Sequence, residues 1–222
     1  MNSESIAVPP KVLYFDLGKV LLSFSHEQMC RQIADVADVP AEIVKEVLFG
    51  AEGAHSVQWR YEVGRLSTDD YYDYFCQRTG TRPDRRRLEH AVCDIFDPIV
   101  ATWDLVQSLA AAGHRLAILS NINPLHWQFV TDGRFDVLGA IGQPGRVFDW
   151  AVLSYKAGSM KPDRGIYRAA VEQAGVPAEQ VFFVDDRIEN VEGARLAGMD
   201  AVLFLDTETL ADDLRGRGIT GI

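Results

Sequence analysis

The chain has 222 residues, with 22 basic against 32 acidic side chains and a formal charge of −10. Such a field repels polyanions, which argues against nucleic acid or an anionic membrane surface as a partner. Apolar residues make up 47% of the chain, enough for a packed core and too many for global disorder, and the length suits one large domain or a core carrying a smaller insertion.

The first segment, MNSESIAVPP, has no basic start and no long apolar run, so neither a signal peptide nor a membrane span is expected. Val12 to Leu17 is a short apolar run, as in a strand buried on both faces. From residue 24 to 98 the apolar spacing is helical, with starts at Ser25, Pro40 and Ser67 and stops at Gly50 and Gly80. The basic run TRPDRRR inside this block reads as a solvated helix start rather than a nucleic-acid site. Cys30, Cys76 and Cys93 lack metal-ligand spacing, which points to buried thiols in a reducing cytosol and hence a cytoplasmic location.

After Pro98 short strands alternate with helices. A helix from Ile99 to Ala112 precedes the strand RLAIL at Arg115–Leu119, and a further helix follows Asn123-Pro124. Thr131 to Arg146 is rich in glycine and has no clear period. WAVLS at Trp150–Ser154, VFFV at Val181–Val184 and AVLFL at Ala201–Leu205 are strands, with helices at Arg164–Ala174, Glu189–Leu196 and Thr207–Arg215. This alternation predicts an α/β fold, a Rossmann-like parallel sheet with helices on both faces. Right-handed crossovers place every strand's C-terminal end on one edge, where such sheets bind ligands.

Asp16, Ser120-Asn121 and Asp185-Asp186 follow three of these strands, and Lys161-Pro162 lies beyond a fourth. Taken singly each has a plain structural reading. Asp16 suits a cap or turn, Ser120-Asn121 a helix start, and Asp163 an N-cap. Asp185 and Asp186 are adjacent acids leaving a buried strand; they repel, and a cation or Arg187 would relieve them.

Together, FDLGKVL, LSN, KPD and FVDDRIENVEGARLAGM resemble, in order, the motifs of the haloacid dehalogenase superfamily. They are nearest to small bacterial sugar-phosphate phosphatases with FDLG at the first motif. The resemblance implies a core domain at residues 1–23 and 99–222 and a helical cap domain at 24–98. It implies an Mg²⁺-dependent hydrolase that removes phosphate from a small phosphorylated metabolite, acting as a monomer or homodimer. Asp16 would be the nucleophile that forms an aspartyl-phosphate. Leu17, Gly18, Ser120, Asn121 and Lys161 would contact the phosphate, with Lys161 also neutralising Asp16. Mg²⁺, a hard cation, would be held by Asp16, the Gly18 carbonyl and Asp186, with Asp185 acting through water or by orienting its neighbour. Asn190 stands where many relatives carry a further acid.

Most phosphatases of the superfamily have aspartate where this chain has Gly18. That aspartate protonates the leaving oxygen, help worth about a hundred- to ten-thousand-fold. His26, Lys19 or a substrate hydroxyl are the substitutes to consider. Trp59, Tyr61, Tyr71, Tyr72, Tyr74 and Phe75 read as core of the helical block, and His90, His114 and His126 as surface or packing residues. His55 and Glu62 fall in the part of the block that would face the site, without being read as ligands. Two other functions compete. A metal-free haloacid dehalogenase would carry Ser and Asn near 185–186 and tyrosine at 18. A silent phosphate-binding module would have lost turnover with its acid.

Overall fold

A computed structural model describes residues 9–51, 55–139 and 141–222. Its centre is a five-stranded sheet of β1 (Val12–Phe15), β4 (Leu116–Ser120), β5 (Trp150–Leu153), β6 (Val181–Asp185) and β7 (Asp200–Leu203), in the order β5-β4-β1-β6-β7. Every pairing in it is parallel. β1, β4 and β6 are buried along their whole length, which explains their unbroken apolar runs. The two-residue period sorts the side chains. Leu13, Phe15, Leu116, Ile118, Phe182 and Val184 face one side, and Val12, Tyr14, Ala117, Leu119, Val181 and Phe183 the other.

Helices cover both faces. α6 (Val100–Ala111) and α11 (Thr207–Gly216) supply Val106, Leu109, Leu210 and Leu214 to the first side. α9 (Arg164–Ala174) and α10 (Ile188–Leu196) supply Ile166, Tyr167, Val191 and Ala194 to the second. The chain runs outward from β1 to β5, then returns to β6 on the other flank. Strand order therefore reverses at β1, and a crevice opens above its carboxyl end.

Five of the described helices fall within residues 24–98: α1 (His26–Ala37), α2 (Ala41–Phe49), α3 (Val57–Glu62), α4 (Thr68–Thr79) and α5 (Arg85–Cys93). They bury a core of their own, with Met29, Ile33, Val44, Leu48, Tyr61 and Phe75 at its centre. Ser25 caps α1 by accepting from the Gln28 N–H, and Ser67 with Asp70 forms a capping box on α4. Gly80 ends α4 at φ 72°, a left-handed turn that a side chain disfavours. Two arginines of the basic run are paired: Arg82 meets Asp73, and Arg85 meets Asp69 and Glu89.

One feature departs from the sequence reading, which has no strand in the block. β2 (Leu22–Phe24) and β3 (Phe96–Pro98) form an antiparallel ribbon at its two ends. Each has three residues, too short for a period to show, and they are over seventy positions apart in sequence. β5 also ends at Leu153, and Ser154 opens the short helix α8 (Ser154–Ala157). The glycine-rich stretch contains a 3₁₀ turn at Asp136–Leu138. All three cysteines are free and buried. Among the described residues no helix is long and apolar enough to cross a membrane.

Candidate active site

Asp16 follows β1 directly, Ser120 ends β4 and Asp185 ends β6. The register pairs Phe15 with Val184 and with Ile118, so the three polar residues emerge side by side. Asp16 also continues the ladder, its N–H donating to the Val184 carbonyl at 3.0 Å.

Lys161 ties them together. Its Nζ lies 2.8 Å from Asp16 Oδ1 and 2.6 Å from Asp185 Oδ2, and donates to the Leu119 carbonyl at 2.9 Å. An ammonium has three donors, so all are used. Burial disfavours its charge, but the two carboxylates more than offset that and raise its pKa. Burial, with Asp185 adding to it, pushes Asp16 up to about 7 against the pull of Lys161. Two carboxylates around one ammonium leave the buried cluster net negative.

Asp185 is fully committed. Beyond Lys161, its Oδ1 accepts from the Arg187 N–H and from Asn190 Nδ2, both at 2.9 Å. Asp186 is the more open acid. Its side chain keeps 19% exposure and its Oδ2 lies 3.8 Å from Lys19 Nζ. Burial and then Asp185 raise its pKa. Arg187 spends its guanidinium on Glu189, so Lys161 is the cation paired with Asp185 and Lys19 the one nearest Asp186.

The Asn121 side chain holds Lys161 from behind. Its Nδ2 donates to the Lys161 carbonyl at 2.9 Å and its Oδ1 accepts from the Lys161 N–H at 2.8 Å. The Leu17 N–H donates to Asp16 Oδ1 at 2.7 Å. Neither the Gly18 nor the Asn121 N–H has an acceptor among the described residues. The nearest partner of Ser120 Oγ is the Asn121 carbonyl, at 3.5 Å. Two backbone donors at the strand ends are thus free for an anion, and the Ser120 hydroxyl beside them is held only by that long bond.

Carboxylate oxygens of Asp16, Asp185 and Asp186 all lie within 4.8 Å of one another. An all-oxygen, net negative set fits a hard divalent cation such as Mg²⁺ and not a thiophilic metal.

A cleft of about 480 Å³ opens over this cluster, bounded by Asp16, Gly18 and Lys161 below and by Phe24, His26 and Glu62 from the helical side. A smaller recess of about 60 Å³ runs behind Gly18 to Ser120 and His126. The His26 ring lies against Phe24 and Phe49, at centroid distances of 5.1 and 4.9 Å, and desolvation followed by Lys19 lowers its pKa.

The family description "haloacid dehalogenase-like hydrolase" matches residues 10–198. The chain belongs to the haloacid dehalogenase-like hydrolases. It is 28% identical over 203 residues to drimenol cyclase drtB of Aspergillus calidoustus, covering 87% of this chain but only 34% of that longer protein. It is 26% identical over 184 residues to the chloroplast flavin mononucleotide hydrolase 1 of Arabidopsis thaliana, covering 82% of this chain and 71% of that one. In fold it matches a family enzyme from Bacteroides thetaiotaomicron solved with magnesium and inorganic phosphate. There the TM-score is 0.74 at 22% identity, over 87% of this chain and 93% of the other.

In this hydrolase Asp16, Leu17, Gly18, Ser120, Asn121, Lys161, Asp185 and Asp186 lie around one crevice. His55, His90 and His114 do not line it. His126 is buried behind it, its ring bonded to the Val92 carbonyl and Asn123, both at 3.1 Å. The clamp by Asn121 and the anchor from Asn190 were not legible in sequence, because an amide carries no spacing signal of its own. The place of Glu62 at the cleft was foreshadowed only by its position in the block.

Proposed function

We propose that this hydrolase is an Mg²⁺-dependent phosphatase acting on a small phosphorylated metabolite through an aspartyl-phosphate intermediate. The observation that carries the reading is the Asp16–Lys161–Asp185 cluster with Asp186 beside it: too many carboxylates for one lysine, next to free anion donors. Asp16, Asp186 and the Gly18 carbonyl would hold Mg²⁺, which when bound supplies positive charge to the phosphoryl oxygens. Asp185 has both oxygens engaged by protein donors, so it supports the site by fixing Lys161 rather than by direct ligation.

Asp16 Oδ2 is the nucleophile, since Oδ1 is held by Lys161 and the Leu17 N–H. Ser120 Oγ and the Gly18 and Asn121 N–H groups take the phosphoryl oxygens. Lys161 favours the ionised form of Asp16 and offsets its repulsion by the phosphate. Residues 24–98 act as a cap that limits water in the cleft and selects the substrate. A sugar phosphate fits a cleft of this size, and the flavin mononucleotide hydrolase relative supports a phosphomonoester.

The test is phosphate release from a panel of sugar phosphates and other phosphomonoesters, with Mg²⁺ or with chelator, for the wild type and Asp16→Asn. Release that needs Mg²⁺ and disappears in the variant is expected. Release unaffected by chelator, or no release from any ester, would overturn the reading.

A further inference from the structure

The phosphatase reading leaves one part unfilled: position 18 has no side chain to protonate the leaving oxygen. We propose that the Glu62 carboxyl is that general acid, delivered from the helical block; the inference rests on the phosphatase reading.

The usual place is already filled. A Cβ on Gly18 would lie 2.7 Å from Phe24 Cε1, closer than real Cβ contacts, so the ring of Phe24 occupies that space. Three acids line the cleft: Asp16, Asp186 and Glu62. Asp16 is committed as nucleophile and Asp186 to the cation. Phosphoryl transfer proceeds with attacking and departing oxygens roughly in line. The departing oxygen therefore points away from β1, toward the helical block that carries Glu62. Glu62 also lines the recess behind Gly18, so it borders the position the missing acid would use.

The carboxyl is held in place. Gln58 Nε2 donates to Glu62 Oε1 at 2.7 Å, and Tyr71 Oη donates to Gln58 Oε1 at 3.0 Å. Oε2 has no protein partner among the described residues and remains open to carry a proton. The backbone is anchored to the sheet side as well. Ser154 Oγ donates to the Glu62 carbonyl at 2.6 Å and accepts from the Ile122 N–H at 3.0 Å. That joins Glu62 to the loop after Ser120. Two residues on, Gly64 (φ 77°) passes so close to the Tyr155 carbonyl that a Cβ would collide with it.

Protonation fits the role. Burial pushes Glu62 up to about 7, against the Gln58 hydrogen bond and the Arg187 charge. The other charged groups of the cleft are Asp16, Lys19, His26, Lys161 and Asp186. His26 is a poorer donor, since its pKa is lowered, and Lys19 is drawn toward Asp186. In the first step Asp16 Oδ2 bonds to phosphorus, the ester P–O bond breaks, and the Glu62 proton passes to the departing alkoxide. In the second, water bonds to phosphorus, its proton returns to Glu62, and the P–O bond to Asp16 breaks.

The experiment compares kcat/KM for an alkyl phosphate and an aryl phosphate with an acidic phenol, in the Mg²⁺-loaded wild type and Glu62→Gln. The variant is expected to lose about a hundredfold or more on the alkyl ester and less than about threefold on the aryl ester. A structural role would lower both alike, and equal losses or no loss overturn the proposal. Should the variant fail to fold, the wild type decides. Its alkyl-ester kcat/KM is expected to fall above pH about 7 while the aryl ester lacks that limb, and identical profiles overturn the proposal. A wild type that hydrolyses neither ester overturns the phosphatase reading itself, and this one with it. Hydrolysis of both with equal losses leaves that reading standing and removes only Glu62.

Discussion

Phe24 and Gly18 share one volume: the Phe24 ring stands 2.7 Å from where a Gly18 side chain would begin. Restoring an acid at 18 therefore takes two changes. Gly18→Asp alone should destabilise the protein by about 1–3 kcal/mol through overpacking and leave alkyl-phosphate turnover no higher. Gly18→Asp with Phe24→Ala should recover part of that stability and raise alkyl-ester kcat/KM. Denaturant midpoints and leaving-group kinetics on both variants check this.

Among the described residues, Lys161 is the only cation bonded to the buried Asp16–Asp185 pair. Lys161→Met should cost about 3–5 kcal/mol near neutral pH, because two buried carboxylates are left without a cation. Asp16 is already raised to about 7, and losing Lys161 raises it further. A raised carboxyl pKa gives stability that is full below the unfolded value and is lost as pH rises through the folded one. The deficit relative to wild type should shrink as the pH of the urea series is lowered from about 8 to about 5.

Asn121 should matter through Lys161. Asn121→Ala leaves the Lys161 N–H and carbonyl without their side-chain partners. The expected loss is about 1–3 kcal/mol. Faster hydrogen exchange at the Lys161 amide than in wild type is the specific readout.

His126 is buried and neutral, its pKa lowered by burial from 6.5 to about 4. A lowered histidine pKa stabilises the fold above the unfolded value and is lost as pH falls through the folded one. Wild-type stability should drop by up to about 3 kcal/mol between pH 6.5 and about 4 from this group. His126→Gln should lack that acid limb in a pH series of thermal melts.

Mg²⁺ should raise the wild-type melting temperature, with a stabilisation of about 2.7 kcal/mol once its concentration reaches about a hundred times Kd. Asp186→Asn should abolish the shift while folding normally, since its carboxylate is partly exposed and has only a long contact to Lys19. Calorimetric titration of Mg²⁺ into both proteins measures the same loss directly.

Much of this molecule was written locally. The runs VLYF, RLAIL and VFFV announced a parallel sheet because strands buried on both faces have no polar side to interrupt them. Ser25, Ser67 and Gly80 marked helix ends because capping is an affair of three or four neighbouring residues. Asp16, Ser120 and Asp185 were placed on one edge by strand direction alone. What the tertiary structure decided was which groups meet across long separations. Phe24 pairing with Phe96 brings a ring against Gly18. Asn121 grips a peptide forty residues away, and Ser154 ties Glu62 to the sheet across ninety-two. Caps and periods are short-range effects that leave their trace in adjacent letters. These contacts depend on where distant backbones cross, and no single residue's neighbours record that.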